Sequence, residues 1–420
     1  MSLNLLSSTS RVETPILYVT IGKYTFGVYN KNTHTIIDST GVYREVNTLY
    51  PNFMKSITID KINGAINTYT IQMIYAIRSG DDPNLLDKVF SSISTDRTIR
   101  ITYGDASLPN YIYKDEEALL TSIRHNIDVQ SSTISYTLSC TSKSLTMNAG
   151  KYNFGKYHMK PSDKIKEILY NENFGLLQIF YGMRDKDQVI TNNLIQSDDK
   201  AVDIEAKSNI TILDYLKYLV MCMTSDINPD NETLNTDRYA LTIVDDISQI
   251  YGGPYFKISK IESNYKNISS NDIYDIEVGT HSKDKIISLN FDDDETYSIL
   301  YNYSNEIKQP SYIYRIDNEG LISYDYSPSL SNSTNLLKTT SADKTWWTTV
   351  TKYPISCTIT IKGLLTPSIL MSYVRLNVYF YGKRHMSSGL YVITKQTDNI
   401  SESGCTTTLK LTRVGGADDN

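Results

Sequence analysis

The chain has 420 residues and a net charge of −6, with 40% hydrophobic and 21% charged residues. That balance describes a folded protein rather than a disordered one, and at about 100–200 residues per domain the length implies two to four domains. The acidic charge argues against a general binder of nucleic acid or of an anionic membrane, whose footprint is basic, and no apolar run reaches the roughly 18–20 residues a membrane helix needs.

The opening Met1–Arg11 has neither a basic n-region nor a true apolar core, so it is not read as a secretory signal. Strands are predicted over Ile16–Gly22 and Tyr24–Tyr29 around a turn at Gly22-Lys23, then over Phe53–Asp60 and Ile66–Ile77 around a tight turn at Ile62-Asn-Gly64. Asp81-Asp82-Pro83 opens a short helix to about Ser91, the aspartates capping free N–H groups and Pro83 sitting where its missing N–H costs nothing. Strands resume over Thr98–Tyr103, Ala118–Gln130 and Thr133–Thr141.

The character changes after Asn148. Pro161–Tyr170 carries apolar residues at helical spacing behind an N-cap at Ser162 or Asp163, with Gly175 as a stop. Ile210–Met223 predicts a second helix, in which Thr211 before Asp214 suggests a capping box. Strands then return over Tyr239–Val244, Tyr255–Ile261, Tyr274–Val278 and Ile286–Phe291, with a turn at Gly252-Gly253-Pro254. Thr296–Tyr303 and Tyr312–Ile316 precede a polar loop over 327–343, and a last β block runs from Trp346 to Val414.

Two stretches repeat one order of patterns. The first runs from Asn67–Tyr75 through Thr98–Asp105 to Ser132–Thr141, the second from Ser356–Leu364 through Leu376–Lys383 to Gly404–Thr412. Each has an alternating strand, a strand leading to Tyr-Gly-Asp or Tyr-Gly-Lys, and a Thr/Ser-rich closing strand; the likeness lies in the order of patterns rather than in identity.

Chemistry is scarce. The five histidines, His34, His125, His158, His281 and His385, show no metal-ligand spacing, and the chain has no nucleophile elbow, zinc-protease motif or Walker loop. Four cysteines are too few for a disulfide framework and read as buried thiols. Sequons at Asn209, Asn231 and Asn267 lack a secretory route. Asp292-Asp293-Asp294-Glu295 is read as a solvated turn after the strand ending at Phe291 rather than a cation loop. Asp105 with Asp115-Glu-Glu117 is read as surface charge rather than a glycosidase pair. No cofactor and no metal site is expected. The 34 tyrosines suit half-buried sheets and wet interfaces, although a coding bias toward Tyr, Asn, Ile and Lys accounts for their number. The paired Trp346 and Trp347 with Tyr353, Pro354, Leu364 and Leu365 form a candidate domain or subunit contact, a carbohydrate platform being the alternative for the indoles.

A resemblance then enters. Ser341-Ala-Asp-Lys-Thr-Trp-Trp-Thr-Thr-Val350, the Tyr353–Leu365 stretch, Tyr381-Gly-Lys-Arg-His385 and Ser388–Gln396 resemble the closing region of phage baseplate hub proteins. So does Ile273–Gly279 leading into Lys285–Phe291, while the first module resembles the tail-tube-like barrel that opens those proteins. The likeness is weakest over residues 148–235.

The resemblance implies a mainly β chain: two tail-tube-like antiparallel β-barrels and a smaller middle α+β domain. Residues 1–147 form the first barrel, 148–236 the middle domain, 237–295 strands contributing to the second barrel, 296–345 an inserted β region and 346–420 the rest of the second barrel. It also implies a homotrimer whose six barrels adapt a hexameric tail tube, or its initiator, to a trimeric spike carried on a separate chain. Other baseplate proteins would surround it in the virion, on the tail axis, after synthesis in the host cytoplasm. DNA would pass through the lumen without specific binding, a mildly acidic wall repelling it. The hub is expected to have no catalysis of its own; the alternatives are a tail-associated peptidoglycan hydrolase and a peripheral glycan- or receptor-binding tail protein.

Overall fold

A computed structural model describes residues 3–4, 15–22, 24–27, 35–37, 43–45, 49–51, 54–91, 97–105, 114–174, 176, 195, 197–223, 238–244, 255–261, 268, 273–279, 286–293, 312–316, 322–326, 355–362, 369–385, 387–401 and 404–415. It is mainly β, and its largest element is a 16-stranded sheet to which both repeats contribute.

The first module contains β1 (Pro15–Ile21), β2 (Tyr24–Gly27), β3 (Met54–Ile62), β4 (Thr68–Ala76), β5 (Thr98–Asp105), β6 (Lys114–Asp128) and β7 (Thr133–Ser142), hydrogen-bonded in the order β3-β4-β7-β6-β5-β1-β2. Period-two alternation decides which face is core: Tyr69, Ile71, Met73 and Tyr75 of β4 and Ile134, Tyr136, Leu138 and Cys140 of β7 are all buried. Helix α1 (Leu85–Ser91) covers this face with Leu86, Val89 and Phe90. The expected helix start is corrected: α1 begins at Leu85, so Asp82 and Pro83 lie before its first turn, and Asp82 accepts from the Asn84 N–H at 2.9 Å in a turn leading into it. Burial pushes the Cys140 thiol up to about 12, which keeps it protonated and inert. The β3–β4 turn needs Gly64, whose φ of +66° an L side chain adopts only with strain.

The middle domain packs α2 (Pro161–Tyr170) and α3 (Ile212–Cys222) over two small hairpin-like pairings, Tyr152–Phe154 with Lys207–Ile210 and Tyr157–Met159 with Val202–Ile204. Ile165, Ile168, Leu169, Leu213, Leu216 and Leu219 form its core, and Phe154 stacks on Tyr215 at 3.7 Å. Thr211 Oγ1 accepts from the Asp214 N–H at 3.1 Å and donates to the Asp214 carboxylate at 2.8 Å, so the expected cap on α3 is present. On α2 the expectation is corrected. Lys160 is the N-cap residue, Ser162 and Asp163 lie inside the first turn, and the helix stops at Tyr170. The Ser162 N–H is satisfied by the buried Asp199 carboxylate at 2.9 Å, a partner 37 residues away that no local pattern reveals. Replacing Asp199 with alanine is expected to loosen this turn by about 1–2 kcal/mol; amide hydrogen exchange at Ser162 should accelerate roughly 5–30-fold, with exchange in β4 unchanged.

Strands β8 (Arg238–Val244) and β9 (Tyr255–Ile261) pair with each other and bury Tyr239, Leu241, Ile243 and Ile258 in the middle core. Of residues 237–295, then, only β10 (Ile273–Val278) and β11 (Ile286–Asp293) join the second module, which corrects the expected allocation. That module is completed by β12 (Ile355–Lys362), β13 (Tyr373–Phe380), β14 (Gly389–Ser401) and β15 (Gly404–Gly415), with β11-β12-β15-β14-β13-β10 as its order. Its core comprises Ile276, Cys357, Ile359, Ile361, Val374, Leu376, Tyr391, Ile393, Leu409 and Leu411 among others. Strands Tyr312–Ile316 and Ile322–Tyr326 pair separately within the inserted region.

The chain has the expected mainly β fold; among the described residues no strand pairing closes either module, and β14 of the second pairs with β3 of the first. One further expectation changes: β11 continues through Asp292 and Asp293, paired with Ser356 and Ile355, so those two aspartates belong to a strand rather than a turn.

Candidate functional site

The place where the modules meet is the chain's most constructed feature outside its cores. β14 is 13 residues long and its one edge serves two partners. Gly389–Val392 pairs with β13 of its own module, whereas Lys395–Ser401 pairs antiparallel with Ile62–Ser56 of β3. Its other edge pairs with β15 from Leu390 to Ser401, with one register irregularity between Leu390 and Tyr391 and a bulge at Thr394. The extra residue of a bulge increases twist and bends the strand, which lets β14 leave one module for the next.

Register places Ile400 opposite Ile57, Asp398 opposite Ile59 and Gln396 opposite Lys61, and all six side chains are buried. Ile400 packs within the core of the first module although it belongs to the second. The polar members are bonded. Asp398 accepts from Gln396 Nε2 at 2.9 Å and from Thr407 Oγ1 at 2.6 Å, and Gln396 Oε1 accepts from the Ile369 N–H at 3.1 Å. Lys61 Nζ donates to the Tyr103 hydroxyl at 3.0 Å. On the opposite face Asp60 accepts from Thr397 Oγ1 at 2.6 Å and lies 3.3 Å from Lys395 Nζ. At the rim the Asn63 N–H donates to the Thr394 carbonyl and the Asn63 side chain accepts from Thr242 Oγ1, so β3's turn, β14's bend and β8 meet there. Nearby, Tyr391 donates to the Ser387 carbonyl at 2.6 Å, and burial pushes its phenol up although Arg413 pulls the other way.

The two modules match bond for bond around this junction. β6 carries a bulge at Thr121 and β14 one at Thr394, at the same step from the closing strand: Ser122 pairs with Ser139 and Ile123 with Leu138, as Lys395 pairs with Lys410 and Gln396 with Leu409. Thr121 Oγ1 donates to the Ser139 carbonyl at 2.8 Å, and Thr394 Oγ1 to the equivalent Lys410 carbonyl at 3.2 Å. β3 and β11 share a second bulge, at Lys55 and Ile287. The repeat read from the sequence is therefore structural, but one of its matches is corrected. Tyr103 is a buried strand residue whose counterpart is Val378, while Tyr381 lies in an exposed turn with φ of 51°.

The copies differ in what pairs with their edges. The edge of β6 that pairs with β5 does so only over Lys114–Leu119, and beyond Thr121 no described strand pairs with it. The outer edge of β11, counterpart of β3, likewise pairs with no described strand. Exposed apolar side chains gather at both places: Ile127 at 58% and Val129 at 83% beside β6, Ile287 at 54% on β11. Ile400, the counterpart of Ile127, is fully buried.

Trp346, Trp347, Tyr353, Pro354, Leu364 and Leu365, the contact expected from the sequence, lie outside the described residues, as do Gly175, Gly252-Gly253-Pro254, Thr296–Tyr303, 327–343 and Asp294-Glu295. Sequence reasoning missed Lys61, Gln396 and Asp398. Their signal was present: polar residues in the apolar phase of alternating strands. His158 forms an exposed pair with Asp203 at 2.8 Å, and His385 bonds Ser387 at 2.7 Å. Glu117 pairs with Lys143, an arrangement of surface charge. The four cysteines are thiols, three of them buried.

No family model and no curated protein matches the chain. Among solved structures it is similar to the tail protein from Neisseria meningitidis MC58, at 11% identity and a TM-score of 0.49, covering 95% of this chain and 97% of that one. It is similar to the prophage MuSo2 tail protein from Shewanella oneidensis at 9% identity, TM-score 0.48, covering 95% and 98%. A third likeness is to the E. coli c3393 protein, a component of the type VI secretion system, at 9% identity and TM-score 0.44, covering 91% and 75%.

Proposed function

We propose that this chain is the structural hub of a bacteriophage tail baseplate, or of a phage-derived injection device, and performs no catalysis. Three copies form a ring of six modules on the tail axis. The ring adapts a six-fold tube, or its initiator, to a three-fold spike, contacts other baseplate proteins and surrounds a lumen through which DNA slides.

The observation that carries this is the pairing of β14 with β3 beside the open counterparts of both strands. A chain that joins two like modules by one such contact and, among the described residues, leaves one complementary edge at each end is suited to head-to-tail association. Head-to-tail contacts generate a closed ring when the rotation per step closes. The number three follows from the hub resemblance of the sequence.

Light scattering of the purified chain tests the stoichiometry: three times the 47.7 kDa chain mass is expected, and a persistent monomer or dimer defeats the ring. Antibody labelling of virions, with gold on the tail axis, separates a hub from a peripheral receptor binder. A clearing band on a cell-wall zymogram would instead favour the hydrolase.

A further inference from the structure

We infer that the open edge of β6 over Ser122–Asp128 pairs antiparallel with β11 of a second copy of this chain, in the register that β14 and β3 use internally. The inference deepens the hub assignment and rests on it for the existence of a ring; the strand, the register and the residue pairs come from the structure. Unpaired backbone N–H and C=O groups make a sheet edge a template for another strand. Here the partner edge and its register are both supplied by the duplicate.

The register follows from the shared bulges. Thr121 corresponds to Thr394, and Lys55 to Ile287. Internally, Ile400 faces Ile57, Asn399 faces Thr58 and Thr397 faces Asp60. Transferred to the open edges, Ile127 faces Leu289 of the second copy, His125 faces Phe291, Asn126 faces Asn290 and Arg124 faces Asp292.

The chemistry of these pairs agrees. Ile127 is 58% exposed and Leu289 and Phe291 are half-buried, so pairing covers apolar surface on both sides. Asp292 holds the position of Asp60, the residue that already bonds across the internal contact. Opposite it stands the exposed Arg124, of opposite sign. A shift of one residue would turn Ile127 to the wrong face and separate Arg124 from Asp292, which makes the register specific.

Cysteine cross-linking reads the register directly. The full-length Asn126→Cys, Asn290→Cys double variant is oxidised and run without reductant. Chains linked up to the trimer are expected, because directly opposed residues lie within disulfide range. The pair Asn126→Cys, Ser288→Cys, two residues out of register, should link at least 10-fold less. A trimer by light scattering in which only the shifted pair links, or neither does, overturns the register and leaves the hub assignment standing. Linked dimers from Asn126→Cys alone indicate β6 pairing with itself and overturn the proposal. The absence of any oligomer overturns both. Independently, Arg124→Asp should weaken assembly at least 10-fold and Arg124→Asp with Asp292→Arg should restore it; failure of the double variant to recover, with each variant's monomer folded by circular dichroism, also overturns the pairing.

Discussion

Replacing Asp398 with alanine should lower the unfolding free energy of the joined modules by about 3–5 kcal/mol. The carboxylate is fully buried and accepts from Gln396 Nε2 and Thr407 Oγ1. Hydrogen bonds to a charged group contribute about 1.5–3 kcal/mol each, and truncation leaves both donors buried without their acceptor. Gln396 would lose its orientation as well, and with it the bond to the Ile369 N–H that anchors the start of the segment before β13. Asp398→Asn keeps the shape and one acceptor oxygen, so about half the loss is expected. Urea unfolding followed by tyrosine fluorescence checks both variants. A change under about 0.5 kcal/mol for the alanine variant, the level of an ordinary surface substitution, would show that this network does not hold the modules together.

A matched pair of truncations gives the second large effect. Ile400→Ala removes a side chain that is fully buried in the first module's core and should cost about 2–5 kcal/mol. Ile127→Ala removes its structural counterpart, 58% exposed in the single chain, and should change the stability of the monomer by no more than about 0.5 kcal/mol. The same residue type at the same position of the same motif thus gives opposite outcomes. In assembled material the ordering changes: Ile127→Ala should weaken self-association at least 10-fold by sedimentation equilibrium, because the proposed pairing with a second copy would bury what the single chain leaves exposed. Equal destabilisation of the two monomers would mean that β6 has a partner within its own chain.

Much of this architecture was legible. Alternation in Thr68–Ala76 and Thr133–Ser142 marks half-buried strands whatever the tertiary context, and Thr211 with Asp214 marks a helix start by local bonding alone. Legibility failed where the deciding partner is distant. Asp199 caps α2 across 37 residues, and β8 and β9 alternate like strands of any sheet, so nothing local assigns them to the middle core. The Tyr-Gly match between the repeats was a coincidence of composition: Tyr103 is buried, whereas Tyr381 is fully exposed. The junction itself was hidden for a related reason. Gln396 and Asp398 stand in the apolar phase of β14, but nothing in the sequence names the partners that satisfy them there, the Ile369 N–H and Thr407.

The contact between β3 and β14 also has a consequence for the order of events on the ribosome. Thr397 meets Asp60 across 337 positions of sequence. At roughly 5–20 residues per second, synthesis runs for about 20–70 s between the emergence of the two strands. Throughout that interval the first module is short of Ile400, one of its own core side chains, and β3 stands as an uncovered edge. Nascent chains on neighbouring ribosomes carry the same edge at the same moment. If copies associate by the proposed strand pairing, that association must therefore wait until β14 and β15 have been translated.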